Sequence, residues 1–117
     1  MKDYLLLFRG GDARRIDEQK DPDKWQAHMQ KWKSWMESLG KQGKFVSGLP
    51  LDKEGSVITG SKKKVTDGPF TEGKEIVGGY VMIKAENHSE AVELSKDCPV
   101  LDHEGSVEVR ELAQITM

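Results

Sequence analysis

The chain has 117 residues, enough for one domain with its own hydrophobic core and without help from disulfides or metal. Charged residues make up 32% and apolar residues 36%, with both signs scattered and a net charge of -2, so neither nucleic acid nor an anionic membrane is an expected partner. The single cysteine, Cys98, excludes a disulfide within the chain and suits a reducing compartment. No apolar run approaches a membrane span, and Tyr4–Phe8 is too short for the core of a secretory signal. The expectation is one cytoplasmic domain over residues 1–117.

Tyr4-Leu5-Leu6-Leu7-Phe8 is a continuous apolar run ended by Arg9-Gly10-Gly11, the pattern of a strand buried on both faces. A polar loop follows to residue 20. Asp21-Pro22 then opens a helix, Asp as N-cap and Pro at the first helical position. Trp25, Met29, Trp32, Met36 and Leu39 recur at helical spacing and predict its inner stripe. Gly40 or Gly43 ends it. Lys44–Leu49 reads as a second strand, stopped by Pro50. Ser56–Thr59 and Lys62–Val65 flank Gly60-Ser61, a two-residue hairpin signal. Lys62-Lys63-Lys64 on that hairpin reads as a guard against edge-to-edge association.

Val65-Thr66-Asp67-Gly68-Pro69-Phe70 holds a carboxylate, a permissive Gly, a φ-locked Pro and a large aromatic in one predicted turn. The strand Val77–Lys84 comes next, again apolar on both faces. Asn87 with Glu90 three residues on is a capping signal for a short helix ending near Cys98-Pro99, with Ala91, Leu94 and Cys98 inward. Ser106–Leu112 alternates and closes the sheet. Leu51-Asp52-Lys53-Glu54-Gly55-Ser56-Val57 and Leu101-Asp102-His103-Glu104-Gly105-Ser106-Val107 differ at one position, and both read as a turn feeding a strand.

The order is β-α-β, hairpin, β-α-β: a ferredoxin-like α+β plan, βαββαβ with an inserted β-hairpin. Both helices would cover one face of an antiparallel sheet. Two strands are nevertheless apolar on both faces, and no third helix is available. A second copy laid sheet to sheet is the simplest cover, so a homodimer is expected.

These residues resemble the YCII-related proteins, in the branch named for its Asp-Gly-Pro-Phe motif. The resemblance runs through Tyr4-Leu5-Leu6-Leu7, Trp35-Met36-Glu37-Ser38-Leu39, Gly43, Val65–Phe70, Glu72, Lys74-Glu75, Gly78-Gly79-Tyr80 and Gly105–Arg110. It implies a ferredoxin-like fold paired as a dimeric α+β barrel. It also implies kinship with small lactone isomerases and cofactor-free monooxygenases, with an Asp and a His proposed as an acid/base pair in the shorter branch. Some relatives are encoded beside or fused to extracytoplasmic-function sigma factors, which implies a regulatory accessory role as an alternative.

Asp67 is the first candidate catalytic residue. A general base needs a carboxylate against an apolar wall, which Phe70, Tyr80 and a tryptophan of the first helix could supply. The bland alternative is a carboxylate accepting amides of its own turn. His28 flanks the helix stripe and is the candidate acid, although Trp32 stands roughly where the shorter branch carries its His. Trp35 is a candidate wall, Tyr80 a second proton donor, and Arg9 a group for an anionic substrate. His88, His103 and Cys98 lack partners at ligand or nucleophile spacing, and neither metal nor cofactor is predicted. The expected reaction is proton transfer or elimination on a small cyclic or carboxylic metabolite, in a cleft beside Asp67–Phe70. A ligand-binding module is the rival.

Overall fold

Alternation within two strands decides how the sheet is covered. The computed structural model describes residues 1–10, 22–51, 54–68 and 76–115. In β1 (Lys2–Arg9), Tyr4, Leu6 and Phe8 are buried while Leu5 and Leu7 are half-buried on the other face. In β5 (Val77–Ala85), Gly79, Val81, Ile83 and Ala85 are buried and Tyr80, Met82 and Lys84 point the opposite way. The two strands pair antiparallel, with Leu6 opposite Val81 and Leu7 opposite Tyr80. Strands β2 (Phe45–Pro50) and β6 (Ser106–Glu111) flank them, giving the order β2-β5-β1-β6. This is the ferredoxin-like arrangement expected from the sequence.

Both helices lie on the Tyr4–Leu6–Phe8 face. Helix α1 (Pro22–Lys41) begins at the predicted proline; Asp21 lies outside the described residues. It ends in a Schellman-type turn. Gly43 takes φ +70°, its N–H bonds to the Gly40 carbonyl at 3.0 Å, and the Lys44 N–H reaches the Leu39 carbonyl at 2.9 Å. Helix α2 (His88–Ser95) is capped as predicted: the Asn87 side chain accepts the Glu90 N–H at 2.9 Å. Lys44 anchors Glu90 across the elements at 2.7 Å, which holds the Glu90 carboxyl below its ordinary range. A short 3-10 turn, Pro99–His103, leads into β6.

The core between helices and sheet contains Tyr4, Leu6, Leu39, Val81, Ile83 and Cys98 as its largest fully buried side chains. Each such burial of an aliphatic side chain stabilises by about 1.5–3 kcal/mol. Cys98 behaves as the predicted small hydrophobe. Burial pushes its thiol up to about 12, although the Val100 backbone partly opposes the shift.

Three expectations change. The inner face of α1 is His28, Trp35 and Leu39, with Trp32 and Met36 half-buried, whereas Met29 is 46% exposed. The helix is rotated by about one residue from the predicted stripe, because the long rings of Trp32 and Trp35 pack on Phe8. The hairpin of β3 (Gly55–Thr59) and β4 (Lys64–Gly68) turns through four residues, not two. Gly60 and Lys63 both take positive φ there, and the Lys63 N–H closes on the Gly60 carbonyl at 3.0 Å. Asp67 and Gly68 belong to β4, with Asp67 opposite Ser56, and are not the start of a turn. Pro69 and Phe70 lie outside the described residues.

Candidate functional site

His28 is a buried imidazole on the inner face of α1. It is one of two buried polar residues among those described, at 6% exposure. The indole Nε1–H of Trp32, one helical turn on, donates to His28 Nε2 at 2.9 Å. An indole can only donate, so Nε2 is the acceptor in this pair. The ring stands 6.5 Å from Trp25 and 6.2 Å from Trp32, centroid to centroid. Trp32 meets Phe8 edge-on at 5.1 Å and Trp35 at 5.8 Å. The result is an aromatic array with one polar group inside it. Trp35 is fixed from the other end, its Nε1–H donating to the Leu94 carbonyl at 3.0 Å.

The remaining candidates lie elsewhere. Tyr80 faces Leu7 and Leu49, on the sheet face that the helices leave open. The sheet therefore stands between Tyr80 and His28 within one protomer. Arg9 is on that open face too, in an ion pair with Glu108. Arg110 holds the same carboxylate at 3.1 Å. Arg110 first, and then Arg9, keep the Glu108 carboxyl below the ordinary range. Asp67 is exposed on the hairpin, whose strands pair with one another and not with the main sheet. The single cleft expected from the sequence, shared by the helix face, the Asp67–Phe70 turn and the Val77–Lys84 strand, is thus divided in one protomer. His28 and Trp35 occupy one side, Tyr80 and Arg9 the other, and Asp67 a separate arm.

Strand parity carried part of this signal. Tyr80 shares its face with Lys84 by simple alternation, so it could not also face the helices. The Trp32–His28 bond was legible too, since residues four apart meet on a helix. A groove of about 380 Å³ on the flank of α1, lined by Lys31, Ser34, Trp35, Asp97, Pro99 and Asp102 among others, had no counterpart in the sequence reading. Among the described residues, no three His, Cys, Asp or Glu side chains converge as metal ligands.

No curated protein matches the chain. Among solved structures, the 5-chloro-2-hydroxyhydroquinone dehydrochlorinase of Burkholderia phenoliruptrix AC1100, in complex with 2,5-dihydroxybenzoquinone, is similar at 16% identity and a TM-score of 0.47. That alignment covers 94% of this chain and 93% of the other. The model of the YCII-related domain matches residues 13–116. With that match over nearly its whole length, and with the α+β architecture described above, the chain belongs to the YCII-related domain family.

Proposed function

We propose that this YCII-related protein is a cytoplasmic homodimer that performs cofactor-free proton transfer on a small cyclic or carboxylic metabolite bound beside His28. The observation that carries the reading is the buried imidazole whose Nε2 is held by Trp32. An imidazole buried among aromatic rings suits a site for a planar substrate, and its protonated form would serve as the acid. Asp67 is the proposed base, and Trp35 and Phe70 are proposed walls. The dimer reading rests on the open sheet face, where Leu5, Leu7, Tyr80 and Met82 continue into Leu49, which is 66% exposed.

A panel of lactones and cyclic carboxylic acids tests the site, scored by thermal stabilisation and by turnover. A true ligand raises the melting temperature because it binds only the folded state. His28→Asn should abolish turnover of that ligand, and Asp67→Asn should lower it by about 10²–10⁴-fold without unfolding the protein. Turnover unchanged in both variants would sink the enzyme reading. The exposed position of Asp67, on an arm apart from His28, favours one rival: a ligand-binding module that reports to a partner such as a sigma factor. That rival predicts stabilisation by the ligand with no turnover at all. Light scattering checks the dimer, and a mass of 13.2 kDa at micromolar concentration would overturn it.

A further inference from the structure

Trp32 and Trp35 are neighbouring indoles on α1 that are held in unlike ways. Trp35 is 7% exposed, and its Nε1–H donates at 3.0 Å to the Leu94 carbonyl, a backbone acceptor on α2. Trp32 is half-buried, and its Nε1–H donates at 2.9 Å to His28 Nε2, a side chain of its own helix. The Trp32 ring rests edge-on against Phe8 at 5.1 Å and Trp35 at 5.8 Å, so one part of it is packed while another meets solvent. One indole is a tie between elements; the other is a cover on an imidazole.

That cover bears on what His28 can do. An indole N–H only donates, and the Nε2 lone pair that receives it is the one that would bind a proton. The bond and a proton on Nε2 therefore exclude each other. An imidazolium carries N–H on both of its nitrogens, so acid work through either nitrogen requires the indole to have left. Taking a substrate's proton at Nε2 requires the same. His28 has little room to turn away instead, being 6% exposed with the rings of Trp25 and Trp32 at 6.5 and 6.2 Å. The half-buried indole is the member of the pair with room to move. A single neutral hydrogen bond stabilises only modestly, so a substrate can displace it.

We infer that Trp32 is a gate on His28: its indole holds Nε2 in the resting protein and must swing off before His28 exchanges a proton with a substrate. Trp32 is thus a positioning residue that acts through the imidazole. A planar substrate can take the vacated seat, since Phe8 and Trp35 already accept an indole edge-on there. The Leu94 bond of Trp35 keeps that seat in place while Trp32 moves. This rests on the acid role proposed for His28 and adds the residue that controls it.

Replacing Trp32 with benzothienylalanine tests the gate, because sulfur takes the place of the N–H in a ring of nearly the same shape. Access to His28 is read in the full chain by mass spectrometry of its carbethoxylation with diethyl pyrocarbonate, which attacks unprotonated imidazole. The expected result is a reaction at His28 about two- to tenfold faster, the worth of one neutral hydrogen bond, with the exposed His88 unchanged. The same replacement at Trp25, which meets His28 by ring contact, should leave the His28 rate as it was. An unchanged His28 rate in the Trp32 variant, or an equal rise in the Trp25 variant, would overturn the gate. In the isotope-labelled native chain, a nuclear spin coupling between Trp32 Nε1 and His28 Nε2 across the bond is expected, and its absence would overturn the gate as well. Neither readout involves a substrate, so failure of the gate leaves the acid role of His28 standing. Unchanged turnover in His28→Asn would instead remove that role.

Discussion

Residues 51–57 and 101–107 are nearly the same peptide in two different places. Six of seven residues agree. The second copy closes a 3-10 turn: Glu104 takes φ 60°, the Gly105 N–H bonds to the Val100 carbonyl at 3.1 Å, and Val107 packs beside Phe8 against the core. The first copy opens the hairpin, with Gly55 in no more than ordinary contact with the Gly68 carbonyl and Val57 44% exposed. Local sequence dictates a strand start in both. Whether that strand enters the main sheet or an arm is set by what lies across from it, β1 in one case and β4 in the other.

The glycines should separate the two copies most. A Cβ at Gly105 would stand 2.5 Å from Val100 Cγ2 and 2.8 Å from the Val100 carbonyl oxygen, whereas at Gly55 its nearest neighbour is 3.7 Å away. Gly105→Ala should cost about 1–3 kcal/mol in urea unfolding, as overpacking does. Gly55→Ala should stay within about 0.5 kcal/mol. The valines come next: Val107→Ala is expected to cost about 1 kcal/mol and Val57→Ala less than half of that by the same method. Equal costs would mean that the hairpin is as well packed as the sheet. Glu104→Gly relieves a left-handed side chain and should stabilise by about 0.5–1 kcal/mol, while Glu54→Gly, with no positive φ to relieve, should not stabilise.

The smallest effect is electrostatic and belongs to β6 after the second copy. Glu108 has a depressed carboxyl in the folded state, caused by Arg110 and Arg9. Its contribution is therefore present above the ordinary carboxylate range and is lost as pH falls through the folded-state value. Glu108→Gln should flatten the acid limb of a stability-versus-pH curve and leave the neutral limb little changed. An unchanged acid limb would remove Glu108 from the account.

The sequence carried the fold further than it carried the site. Element order, the Asn87 cap, the Gly43 stop and the two-faced strands follow from local rules, and the structure agrees with each. The rotation of α1 did not follow, because periodicity defines a stripe but the partner ring, here Phe8, decides which edge of it turns inward. Gly68-Pro69 after it makes Asp67 look like a turn residue. Its strand pairing with Ser56, a contact across eleven residues of chain, was what local chemistry could not reveal. The division of candidates between sheet faces was legible from parity at Tyr80 but not at His28, whose burial depends on neighbours brought by the fold.

The seclusion of Cys98 makes the native chain its own cysteine-free background. The side chain is 2% exposed, and a thiol raised to about 12 leaves on the order of one thiolate in ten thousand at pH 8. A cysteine introduced on the hairpin would outcompete it for a maleimide by orders of magnitude. Dyes or spin labels can therefore be attached to a single chosen position, and the distance between two such positions followed, without altering a residue of the interior.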